Sequence, residues 1–197
     1  MKQHLSFRAI TLLVAVFLSI FIQSCSKSSG SSDNNASGYY LNATVNGQAW
    51  AANVHSTLNN STALAVVTNS GGTSVLLLLG LKAVNTDTSA VVLIFPQNIT
   101  VNKVFAFNAN QYLEGAYVQE IAPGSGTYYG YNTTPATGGS GSITITLFDQ
   151  SAKIIEGVFN GSFGSQQGRT AVQITDGKFR CPYTTDAGQL PKSGIKY

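Results

Sequence analysis

Residues 141–163 read GSITITLFDQSAKIIEGVFNGSF, and their pattern decides the fold class. In Ile143-Thr144-Ile145-Thr146-Leu147 apolar and hydroxyl side chains alternate with a period of two. That period places Ile143, Ile145 and Leu147 on one face of a strand. Asp149 to Ala152 then forms a turn, where Asp is favoured because its side chain bonds to nearby backbone N–H groups. A second alternation follows. Ile155, Gly157, Phe159, Gly161 and Phe163 share a face, and Glu156 points the other way, toward solvent. Gly157 and Gly161 leave room for facing aromatic rings or let the strand bend. A long hairpin with one apolar face is a spine for a sandwich or a barrel.

The same texture extends outward from Tyr39. Short runs rich in Val, Ile, Leu, Thr, Phe and Tyr alternate with Gly, Asn, Ser and Asp clusters. The expected strands are 39–45, 49–55, 63–68, 74–83, 90–95, 101–108, 116–120, 126–132, 142–149, 153–163 and 171–179. Asn46-Gly47 is a two-residue hairpin signal, since both positions tolerate positive φ. Asn69 to Gly72 and Asp176-Gly177 are further turn signals. Ser74 to Leu81 is almost continuously apolar over eight residues and reads as a buried strand. Asn108 to Leu113 is the one candidate for a helical turn. The expected fold is therefore all-β, an antiparallel β-sandwich. The alternative is an up-and-down, lipocalin-like β-barrel, which could hold a small ligand inside. Trp50 is expected to be buried where the first hairpin meets the core.

Composition bounds the function. Of 197 residues 10% are charged, under half the usual quarter for a soluble domain. The net charge is +3 with no basic cluster, which argues against a nucleic-acid partner. Two Cys and two His are too few for a disulfide scaffold or a Cys/His zinc site, and no metal or cofactor is expected.

The N-terminus reads as an address. Lys2 and Arg8 precede Ile10–Ile22, an apolar run of 13 residues. A spanning helix needs about 20, so the run has the length of a signal-peptide core. Ile22-Gln23-Ser24-Cys25 follows and resembles the bacterial lipobox, with Gln23 standing where a small residue is usual. The resemblance implies cleavage before Cys25 and acylation of that cysteine, which would tie the protein to a membrane without a spanning helix. Residues 25–38 hold the lipidated Cys and a Ser/Asn-rich tether without Val, Ile, Leu or aromatic side chains. The expected organisation is a leader at 1–24, the tether at 25–38, a β domain at 39–183 and a tail at 184–197.

Three landmarks carry a wider resemblance: the opening Ala43-Thr44-Val45-Asn46-Gly47-Gln48-Ala49-Trp50, the pair of strands around Gly141–Thr146 and Ile154–Phe159, and the closing Val172–Phe179. Over roughly residues 41–183 the chain resembles a family of small Bacteroidota lipoproteins classed as a domain of unknown function. The resemblance implies a β-rich lipoprotein of the cell envelope, in the outer membrane. It transfers no catalytic residue.

The chemical constellations are sparse. His55 is the one His after the leader and has no G-x-S-x-G nucleophile elbow to serve. Cys181 lacks a disulfide partner once Cys25 is lipidated and reads as a buried, inert thiol. Glu114 and Glu120 fall on one face of a strand about 20 Å apart, too far for a glycosidase pair. The densest feature is the stretch holding Tyr112, Tyr117, Tyr128, Tyr129 and Tyr131 beside Glu114 and Glu120. Tyrosine offers an apolar face and a polar tip, so these residues are expected to form an exposed binding rim for a glycan or an envelope protein partner. The functional expectation is a non-enzymatic binding module. A purely structural envelope component is the first alternative and a hydrolytic enzyme the second.

Overall fold

The computed structural model describes residues 38–55, 61–70, 72–84, 87–108, 113–122, 125, 127–165 and 167–185. Cys25, the leader, most of the tether and Tyr112 lie outside them, as does most of the 108–113 stretch expected to turn helically. The elements are β1 (Tyr40–Val45), β2 (Gln48–Ala51), β3 (Ala63–Ser70), β4 (Thr73–Val84), β5 (Asp87–Pro96), β6 (Val104–Ala106), β7 (Glu114–Glu120), β8 (Tyr128–Asn132), β9 (Ser140–Asp149), β10 (Ile154–Ser165) and β11 (Val172–Thr184). A 3-10 turn, Pro135–Thr137, lies between β8 and β9 and starts on proline. The fold is all-β. Each expected strand is present, with β2 and β6 shorter than their apolar runs.

The turns close as their residues dictate. Asn46 and Gly47 both take positive φ, 48° and 79°, and join β1 to β2. Asp149 Oδ1 accepts hydrogen bonds from the backbone N–H groups of Ser151 and Ala152. Asn69 Oδ1 does the same for Gly72.

One sheet runs in the order β2-β1-β11-β10-β9-β6 and the other β3-β4-β5-β7-β8. The central hairpin joins them. The end of β11 pairs with β3 through Tyr183↔Ala65 and Thr184↔Val66, and the end of β10 pairs with β8 through Gly164↔Asn132 and Ser165↔Tyr131. The pairings thus close a circuit, and two facing sheets share two corner strands. Every pair is antiparallel except β11–β3, which is parallel, so the antiparallel expectation fails at that one junction. The interior is filled. Phe95 of one sheet stacks on Phe179 of the other, with ring centroids 6.5 Å apart, amid fully buried Leu41, Leu93, Ile145 and Ile155.

The hairpin glycines hold this core together. Phe159 lies directly opposite Gly177, and Phe179 directly opposite Gly157. A Cβ on Gly157 would fall 2.6 Å from the Phe179 ring, and one on Gly177 would fall 2.6 Å from the Phe159 ring. Each ring therefore lies over the glycine of the neighbouring strand, and the two rings also meet at 6.4 Å. Asp176-Gly177, expected as a turn, lies inside β11. There the register slips by one residue and Asp176 takes φ 54°, a bulge that an Asp-Gly pair tolerates.

Leu147 is a second correction. Ile143 and Ile145 point inward as expected, but Leu147 is exposed. The β9–β10 register shifts between the Glu156↔Leu147 and Gly157↔Ile145 pairs. The extra residue turns Leu147 outward beside Glu156 and brings Phe148 in, 5.1 Å from the Tyr183 ring.

The second sheet is apolar on both faces. Leu76, Leu78, Val91 and Phe95 face the core. Their alternates form rows on the outer face, Val66–Leu77–Ile94–Glu114 and Leu64–Leu79–Val92–Ala116–Asn132. This explains the unbroken apolar run in β4, since a strand buried on one face only would alternate.

Candidate binding surfaces

The expected tyrosine rim does not form as a unit. Tyr117 and Tyr131 face each other across β7 and β8, are buried in the main core, and pack with ring centroids 6.1 Å apart. Tyr128 and Tyr129 are half-buried. The reason is alternation. Glu114, Ala116, Val118 and Glu120 share the outer face of β7, while Gly115 and Tyr117 point to the core, where Gly115 accommodates the Phe163 ring. Glu114 and Glu120 are themselves buried.

Each half-buried tyrosine has its own setting. Tyr128 lies opposite Glu120 and packs beside Leu81 and Ala90. Its hydroxyl is buried without a hydrogen-bond partner, and burial, with the Glu120 charge, raises its pKa above the ordinary tyrosine value. Tyr129 packs under the guanidinium of Arg169, 3.7 Å from its ring centroid, a cation–π contact that joins β8 to the segment entering β11.

Glu114 is the most perturbed carboxylate. It sits opposite Ile94, its Oε1 is buried without a partner, and burial pushes its pKa up to about 7. Asn132, one row over, is fully buried. Its Oδ1 accepts from the Thr134 N–H and from the hydroxyls of Thr134 and Thr137, which fixes the 3-10 turn, but its Nδ2 has no partner.

Trp50 and Cys181 are buried, as their places in the sequence suggest. The Trp50 Nε1 donates to Ser89 Oγ at 2.9 Å. Cys181 is fully buried, which pushes its thiol above the usual range, while neighbouring Arg180 pairs with Glu156 on the opposite face. His55 is exposed beyond the end of β2. Among the described residues no group of three or more His, Cys, Asp or Glu side chains is placed to hold a metal ion.

A surface missed in the sequence lies at one end of the molecule. An open cleft of about 430 Å³ is lined by Gly72, Thr73 and Ser74 at the β3–β4 turn, Gln97 and Asn98 after β5, and Gln150 at the β9–β10 turn. Its polar groups are amides and hydroxyls without formal charge. The turn signals at 69–72 and 149–152 marked two of its walls, but only the closed sheet brings them beside Gln97 and Asn98.

No family model, curated protein or solved structure matches the chain.

Proposed function

We propose that this chain is a lipid-anchored protein of the bacterial outer membrane that works by binding rather than by catalysis. The end cleft carries the reading. Its amides and hydroxyls offer paired donors and acceptors without charge, which suits a glycan or the polar loop of an envelope partner. No aromatic ring lines it among the described residues, so hydrogen bonds must carry recognition. Each neutral bond contributes about 0.5–1.5 kcal/mol, and a handful gives a Kd of about 1 mM. The buried Tyr117–Tyr131 pair favours the alternative of a purely structural envelope component, because it removes two rings from the expected rim.

Two experiments separate these readings. Asn98 and Gln150 are exposed, so Asn98→Ala/Gln150→Ala should leave the melting temperature unchanged. The double variant should weaken retardation in gels containing neutral glucans by about tenfold, the loss expected for two hydrogen bonds. Wild-type protein that no such polysaccharide retards would leave the structural alternative standing. Anchoring is tested separately. Cys25→Ala should move the protein from the detergent phase to the aqueous phase, and unchanged partition would refute acylation.

A further inference from the structure

Exposed aliphatic side chains gather on the outer face of the β2-β1-β11-β10-β9-β6 sheet. Among the described residues six large apolar side chains are exposed, and four of them, Val101, Val104, Leu147 and Val158, surround β9. Val104 is 67% exposed and the other three 37–41%. Val104 and Val158 flank Thr144 in a row that runs Val104–Thr144–Val158–Lys178–Asn42. Leu147 begins the next row, Leu147–Glu156–Arg180–Tyr40. Val101 sits in the turn whose Asn102 N–H bonds to the Ile145 carbonyl. The core gains nothing from this grouping. The β9 bulge turns outward a leucine that strict alternation would have buried, and bulges are a means of re-aiming a side chain. Apolar side chains gathered on an exposed surface mark contact with a protein or a membrane.

We propose that this face lies against the lipid bilayer that holds the anchor. The placement rests on the acylation of Cys25 proposed above. The point where the chain enters the domain supports it. β1 begins at Tyr40, which closes the Leu147 row, three strand spacings or about 14 Å from Leu147. Fifteen residue steps separate Cys25 from Tyr40, a reach of at most about 50 Å. An anchored domain is thus confined close to the lipid surface, where a contact too weak to hold by itself is reinforced by its effective concentration. The charges fit as well. Glu156 is the one carboxylate of the two rows, and it is paired with Arg180, so the rows present no free negative charge to lipid phosphate. Lys178 is exposed beside Val158. Its stem can lie along the valine while its ammonium reaches a phosphate. Val104, Leu147 and Val158 then enter the boundary between headgroups and acyl chains, where binding grows with the apolar area covered.

The test uses the full chain, processed in the cell and reconstituted into vesicles of phosphatidylcholine and phosphatidylglycerol. A polarity-sensitive dye is attached at Thr146→Cys, exposed on this face, or at Gln119→Cys, exposed on the other sheet. Cys181 is fully buried and does not compete for the label. Lipid carrying a spin label at headgroup depth is expected to quench the Thr146→Cys dye several-fold more strongly than the Gln119→Cys dye. Val104→Asp/Leu147→Asp should bring the first signal down to the level of the second, with detergent partition unchanged. Both side chains are exposed, so the melting temperature should hold. Equal quenching at the two positions in anchored protein overturns the docking. So does a blue-shifted Thr146→Cys dye that spin-labelled lipid leaves unquenched, because a second copy of the chain would then cover the face. Wild-type protein found in the aqueous phase of the partition refutes the anchoring and the docking together, which tells the two failures apart.

Discussion

Phe159→Ala should destabilise the domain by about 3–5 kcal/mol, the usual range for removing a core phenylalanine. Phe159 is 2% exposed, covers Gly177 and meets the Phe179 ring. Truncation strips the ring from both neighbours at once. The glycine opposite has no side chain to fill the space, so the site collapses poorly and the cost should fall in the upper half of that range. A domain holds about 5–15 kcal/mol in all, so the melting temperature should drop by ten degrees or more. Glu156, three positions earlier on the outer face, pairs with Arg180 at a partly solvated site. Glu156→Ala should cost no more than about 1 kcal/mol. Equal losses in chemical denaturation of the two variants would show that the Phe–Gly pairing is not what holds the hairpin.

Glu114 should give stability an unusual dependence on pH. Its folded pKa is pushed up to about 7 from an ordinary 4.5, by burial. The folded state therefore holds a proton that the unfolded chain releases across this interval. The resulting stabilisation is fully present below about pH 4.5 and is lost as the pH rises through 7. A shift of this size corresponds to about 3 kcal/mol. Wild type should thus become less stable between pH 5 and 8, against the common trend for carboxylates held in ion pairs. Glu114→Gln, which keeps the shape and removes the titration, should flatten the profile. Urea midpoints measured from pH 4.5 to 8.5 decide the matter, and parallel profiles for the two proteins would count against a buried, unpartnered carboxyl.

What was legible in the residues was local. Strict alternation and Asn-Gly, Asn-to-Gly and Asp turns located the strands, because each depends on a few neighbouring residues. The unbroken run in β4 already said that both of its faces would be covered. The bulge that exposes Leu147 was not legible, since an inserted residue leaves the apolar pattern of its own strand intact and changes only the partner register. The same holds for the parallel β11–β3 junction and for the cleft, whose walls come from three loops far apart in sequence. The tyrosine segment is different. Alternation along Glu114–Glu120 already set Tyr117 on the face opposite both glutamates, so a single rim containing all of them conflicted with the geometry of one strand.

The corner strand β11 also sets an order in time. It lies between β1 and β10 and closes onto β3, with pairs such as Tyr40↔Arg180 and Ala65↔Tyr183 that span most of the domain. Contacts between residues so distant in sequence slow folding, because a large loop must close before they form. The circuit of strands cannot be completed until the last strand has emerged from the ribosome. The outer-membrane anchoring proposed above would require export, and there this delay would have a use. A chain that lacks its closing strand would stay extended enough to thread through a narrow pore, and would lock only after β11 had crossed.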